Sequence, residues 1–299
     1  MIPLFDLHCD TLYELYKTKQ NLNSNHLAIS LEKASKFSPH IAIFSIWSEA
    51  RLSDEEAYNQ YKQILEYSKK LNIKFATTSS KLSQQSFILG VEDARILNND
   101  ISRLKELYVD GVRILTLNWK WASSIGGGWN TSFPLTAFGK EVVKECIRCG
   151  IILDISHSSR ISASEVLDLC EASNTPLMAS HSNTYSICNH PRNLDDNTFK
   201  RLVNLNSVIG INFVPMHLSC SSKCTISDIL HHVEHFLRLG GENNICIGSD
   251  FDGTTSLPNG IKDISSIDEL FYSMEKAFSR QIATKIFFEN AFRFMSKNL

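Results

Sequence analysis

Eight short runs rich in apolar and β-branched residues recur along the chain. They are residues 4–9 (LFDLHC), 40–47 (HIAIFSIW), 87–92 (FILGVE), 111–119 (GVRILTLNW), 150–156 (GIILDIS), 176–180 (PLMAS), 207–214 (SVIGINFV) and 244–249 (NICIGS). Most are continuous rather than alternating, the pattern of strands covered on both faces. Between them lie stretches with apolar positions at helical spacing, among them residues 53–71, 136–148, 162–172 and 226–239. Ser53 with Glu56, and Ser162 with Glu165, have the spacing of capping boxes at helix starts. Gly150 and Gly240 fall just past helical stretches, where a left-handed cap is wanted. Residues 21–25 and 220–224 read as surface loops, and residues 263–299 as helices packed across the end of the fold.

Strands alternating with helices imply a parallel sheet with right-handed crossovers. Eight such units predict closure into a (β/α)8 TIM barrel, and 299 residues is an ordinary length for one. With no repeat, low-complexity tract or linker, a single barrel domain over residues 1–299 is expected.

Composition narrows the function classes. The 43% hydrophobic content supports a large core, and the net charge of −2 gives no pull toward nucleic acid or anionic membranes. The start, MIPLFDLHCD, lacks the basic region of a signal peptide, and no run reaches the roughly 18 apolar residues of a membrane span. A cytoplasmic protein is expected, and its eight cysteines are then expected to be reduced. Cys146-x-x-Cys149 and Cys220 with Cys224 do not pair as a zinc knuckle, because one pair precedes a strand and the other follows one. Cys9 points into the helix layer as a small hydrophobe.

Ionisable residues sit at strand tips, which in a parallel barrel converge on one mouth. His8 and Asp10, two apart, share a strand face; Glu92, His157 and His181 each close a further run. This set suffices for two divalent cations, with Glu92 placed to span both through its two oxygens. Asp250, closing ICIGSD, is the candidate proton shuttle. Asp252-Gly253 reads as a loop turn, and Asp154 as structural. Arg192, in NHPRN, overhangs the expected mouth and suits a substrate carboxylate, and His190 is near enough to touch substrate. His231, His232 and His235 read as helix-surface residues, since the HExxH pattern is absent.

In order along the chain, DLHCDT, ILGVEDA, GVRILTLNW, GIILDISHSS, ASHSN…NHPRNL and IGSDFDG resemble the membrane (renal) dipeptidase family of metallopeptidases. The resemblance spans nearly the whole chain. It implies an amidohydrolase-type barrel that hydrolyses dipeptides, L-D pairs included, with two zinc ions bridged by Glu92 and a water or hydroxide. His8 and Asp10 would hold the first zinc, and His157 and His181 the second. Asp250 and Arg192 match the acid/base and substrate-carboxylate positions. In one departure, Trp119 stands where mammalian members carry a His. Trp cannot exchange a proton, so Trp119 bears on rate and substrate range rather than on metal. The terminus MSKNL gives no sign of a lipid anchor, and a homodimer is compatible with the sequence.

Two rivals remain: another binuclear amidohydrolase (lactonase, phosphotriesterase or deaminase), or a catalytically dead barrel that binds peptide. The former usually open with His-x-His and often bridge with a carboxylated lysine, whereas this chain has His-x-Asp and Glu92. A binder has no need of Asp250 beside five ligands.

Overall fold

The computed structural model describes every residue except Ser222, which lies within the expected loop at 220–224. All eight runs form strands: β1 (Ile2–Cys9), β2 (Phe37–Trp47), β3 (Gln85–Glu92), β4 (Val112–Thr116), β5 (Ile152–Asp154), β6 (Met178–Ala179), β7 (Val208–Ile211) and β8 (Ile245–Ile247). They are parallel and pair in sequence order, and Asp6 of β1 meets Ile247 of β8 to close the barrel. The (β/α)8 expectation holds.

The later strands end before their apolar runs do. β4 stops at Thr116, so Asn118 and Trp119 leave the ladder and enter the mouth. β5 and β8 likewise release residues 155–157 and 248–250. Hydropathy cannot mark this boundary, because buried mouth loops are as apolar as the strands feeding them.

The barrel interior changes character along its axis. Toward the N-terminal ends of the strands it is apolar, with Phe5, Ile41, Ile88, Ile114, Ile152, Met178 and Val208 in one cluster. Phe294 and Met295 of the terminal helix Asn290–Asn298 belong to the same cluster and close that end. Toward the other end the interior-facing residues turn polar: Ser45, Glu92, Thr116, Asp154 and Ser180 are all buried.

A bulge in β1 sets the key histidine. Asp6 pairs with Ala42, but Cys9 pairs with Phe44, so Leu7 and His8 together oppose Ile43. Leu7 stays in the interior cluster while the extra residue turns His8 inward as well, and Cys9 returns to the outer core between strands and helices. Bulges commonly re-aim a side chain beside a functional site.

The helix Asp54–Lys70 starts with the expected Ser53–Glu56 capping box, and Gly150 adopts the left-handed cap at φ 78°. The second capping expectation fails. Helix Arg160–Ala172 begins earlier, capped by Ser159, whose hydroxyl accepts from Ser162 N. Ser162 is inside the helix, and Glu165 instead accepts from Leu135 N and pairs with Lys140. Ser-Ser-x-x-Ser offers two serine starts, and only tertiary contacts choose between them.

His232 also departs from expectation. It is fully buried: Thr184 N donates to its Nδ1 at 3.1 Å and its Nε2 lies 2.9 Å from Leu218 O. Helix Ile226–Arg238 thus turns one of its three histidines inward as a brace between two mouth loops. His231 is exposed, and His235 binds Asp196.

Candidate functional site

The strand-tip residues converge. His8 Nε2 lies 3.6 Å from Asp10 Oδ2 and 3.7 Å from Glu92 Oε2. The other oxygen of Glu92, Oε1, lies 2.8 Å from His157 Nε2 and 3.6 Å from His181 Nε2. The rings of His8 and His181 stack at 3.8 Å. Three groups of donor atoms result: His8, Asp10 and Glu92; Glu92, His157 and His181; and His8, His181 and Asp250. Glu92 is common to the first two.

Outer hydrogen bonds orient these rings. Ser180 Oγ is 2.7 Å from His181 Nδ1 and donates to Asp154 Oδ2, which also accepts from Thr116 Oγ1 at 2.7 Å. Ser45 Oγ is 3.3 Å from His8 Nδ1. Asp6 accepts from Ser249 N and Oγ and from His8 N, anchoring β1 to the tip of β8. Asp154 is thus structural as expected, yet it lies on the interior face, directly beneath the site. Such partners fix ring orientation and tautomer in metal sites.

Acids and imidazoles are packed together at the mouth. Three buried carboxylates, Asp10, Glu92 and Asp250, face three imidazoles, with the buried Arg192 guanidinium acting on Glu92 and Asp250 and, among the described residues, no lysine paired with them. Burial and then the charge of Glu92 raise Asp10 to about 8. Burial raises Asp250 too. Burial opposes the charge of Glu92, but His157 and His8 hold it below its ordinary value. Burial and Arg192 lower His157 to about 4 and push His181 down, with His8 adding to the latter. His8 Nε2 and Asp10 Oδ1 are buried without a hydrogen-bond partner, both within the first donor group. Burial opposes the charge of His8, but Glu92 and Asp10 raise it well above its ordinary value. A buried carboxylate cluster with imidazoles at His157 and His181 held neutral and free donor atoms fits two divalent cations.

Backbone strain marks two of the tips. His157 and Asp250 adopt left-handed φ of 68° and 62°, a conformation uncommon outside glycine and concentrated at functional sites. The turn at Asp250 is held by its N–H to His8 O at 3.1 Å, and Asn212 Nδ2 donates to Asp250 Oδ2 at 3.3 Å. Asp252 does more than form a turn. It accepts from Thr11 Oγ1 at 2.7 Å and from Ala28 N at 2.6 Å, pinning the loop to the first helix.

Arg192, expected to overhang the mouth, is buried instead. It is 4% exposed, with Nη1 donating to Ser182 Oγ and Nη2 to the carbonyl of His181; only Nε lacks a partner. The loop after β6 folds inward, so an arginine expected over the mouth lies against the backbone of His181. Burial lowers it to about 10, which leaves it charged at neutral pH.

Trp119 lines the mouth. Its ring stacks 6.3 Å from His157 and lies 5.4 Å from Trp47, which meets Tyr13 edge-on at 5.0 Å. Across the mouth, His190 packs between Trp129 and His217. Sequence reasoning missed Trp47, Asn212 and His217. The period-two inner faces of β2 and β7 pick out Trp47 and Asn212 within their apolar runs, but His217 lies beyond any strand pattern.

A family model for membrane dipeptidases, peptidase family M19, matches residues 1–298. The chain belongs to the membrane dipeptidase family. Its members are peptide-bond hydrolases, and the clustered His, Glu and Asp donors accord with their metal dependence. Solved structures agree on the fold. A dipeptidase AC, a metallopeptidase of family M19, superposes with TM-score 0.91 at 24% identity, covering 99% of this chain and 98% of that one. A metallopeptidase from Rhodobacter sphaeroides, liganded with a phosphinate mimic of L-Ala-D-Ala, gives 0.91 at 23%, covering 100% and 99%. The probable dipeptidase PvdM from Pseudomonas aeruginosa gives 0.84 at 17%, covering 99% and 95%. Among the described residues no helix is long and apolar enough to cross a membrane.

Proposed function

We propose that this chain is a zinc dipeptidase acting on dipeptides with a free C-terminal carboxylate, L-D pairs included, in the cytoplasm. The observation that carries the reading is the division of Glu92, one oxygen toward His8 and the other toward His157 and His181. His8 and Asp10 would hold one zinc, His157 and His181 the other, with Glu92 between them. The R. sphaeroides metallopeptidase, bound to an L-Ala-D-Ala mimic, supports a dipeptide of that stereochemistry. When bound, two zinc ions polarise the peptide carbonyl and acidify water.

The chain's own residues do the rest. Asp250, oriented by Asn212, accepts the proton of the attacking water and delivers it to the leaving amine. The unpartnered Arg192 Nε is the donor left for a substrate carboxylate, and burial, with the charge of Arg192 adding to it, keeps His157 and His181 neutral, as ligands must be. Trp119 and Trp47 give a substrate side chain an apolar wall in place of a titratable ring.

Elemental analysis of zinc-replete protein, with a panel of L-L and L-D dipeptides, tests the reading. Two ions per chain and turnover confined to dipeptides are expected. One ion or none, or turnover only of lactones or cyclic amides, overturns it.

A further inference from the structure

We propose that Asn118 is a catalytic hydrogen-bond donor, its side-chain amide serving the oxygen that becomes negative as the peptide bond is cleaved. The proposal rests on the dipeptidase reading above. On β4 the inward residues are Ile114, in the interior apolar cluster, and Thr116, bonded to Asp154. Leu117 faces the outer core. Two residues past Thr116, Asn118 continues the inward face at the level of the mouth. Thr116 pairs with Glu92 on one side and with Asp154 on the other. Asn118 therefore rises between the tip carrying Glu92 and the tip carrying His157. β4 alone among β3 to β6 offers the mouth no imidazole or carboxylate, and Asn118 is its polar group there.

Asn118 is completely buried. Its Oδ1 accepts from Ser158 Oγ at 3.1 Å, next to His157, which fixes the amide plane. Its Nδ2 has no partner. A buried, unsatisfied N–H costs about 1–3 kcal/mol, so one held rigidly by a neighbouring bond calls for an explanation. Trp119 does not supply one, since its ring lies against His157 and Trp47. In hydrolysis a C–O bond forms from water, the C–N bond breaks and the proton passes to the amine. In between, the carbonyl oxygen carries negative charge, and a neutral amide aimed at it stabilises that state selectively.

Asn118→Leu removes the donor at similar volume; Asn118→Asp removes it but keeps the acceptor for Ser158. Both variants should lower kcat on order 100-fold, with KM changed less than about threefold. Both should weaken a phosphinate dipeptide mimic, measured by calorimetry on the zinc-loaded protein, by a similar factor, with zinc content unchanged. Near-parental kcat and phosphinate affinity in Asn118→Asp overturn the proposal. So does loss of zinc in both variants, which assigns Asn118 to holding the His157 loop. A parent that neither cleaves dipeptides nor binds the phosphinate overturns the dipeptidase reading, and this proposal with it.

Discussion

Gly253 presses against Asp10: a Cβ added to the glycine would lie 2.1 Å from Asp10 Oδ2, and 2.3 Å from Asp250 Oδ1. These atoms belong to buried carboxylates that cannot swing away without leaving the cluster. Gly253→Ala is expected to displace both, as overpacking of a filled site does. The variant should fold, bind less than two equivalents of zinc and lose at least tenfold in kcat/KM. Full zinc content with parental activity would show that the loop yields instead.

Asp250→Asn keeps the volume and the left-handed turn, which asparagine tolerates. Its amide oxygen still offers Asn212 Nδ2 an acceptor, so the turn and this contact are kept. Turnover should fall about a hundredfold or more, the usual worth of a proton-transfer group. Zinc content should stay at the parental level, because the two groups sharing Glu92 do not include Asp250. Near-parental kcat would remove Asp250 from proton transfer.

The barrel was legible in the sequence because all eight strands are buried on both faces, so each left a continuous apolar run. The convergence of His8, Asp10, Glu92, His157, His181 and Asp250 was legible because strand tips in this fold share one mouth. What periodicity could not carry was loop conformation. His232 looked like surface because it is polar and lies on an outer helix, and Arg192 was expected to overhang the mouth rather than lie buried. Their burial depends on loops folding inward over the mouth, which only tertiary contacts decide. The bulge that turns His8 inward was also invisible: strict alternation after Phe5 and Leu7 would have sent His8 to the helix layer.

Arg192→Ala tests a residue with two duties. Its Nη atoms hold the His181 carbonyl and Ser182, and its Nε is free. If Nε reads the substrate carboxylate, the variant's KM for free dipeptides should rise by tenfold or more, while C-terminally amidated dipeptides, poor for the parent, change little. Equal cleavage of free and amidated dipeptides by the parent would confine Arg192 to bracing His181.

His40 offers a test of stability remote from the mouth. It lies on β2, is 1% exposed, and neither ring nitrogen has a hydrogen-bond partner; the Phe87 ring lies edge-on at 6.2 Å. Burial lowers its pKa from 6.5 to about 4. Above pH 6.5 the imidazole is neutral in both folded and unfolded chains and adds no pH dependence. Between 6.5 and 4 the unfolded chain takes up a proton that the fold refuses, so stability falls as pH falls, by roughly 3 kcal/mol over the whole interval. His40→Leu removes this penalty, along with two unsatisfied polar atoms, at similar volume. The variant should be more stable than the parent at pH 7.5. Its advantage in urea midpoint should widen steadily to pH 5, where the histidine alone costs the parent about 2 kcal/mol. Other titrating groups are common to both proteins and cancel in the difference. Unfolding curves that stay a constant distance apart from pH 7.5 to 5 would show that His40 finds a proton partner in the folded chain.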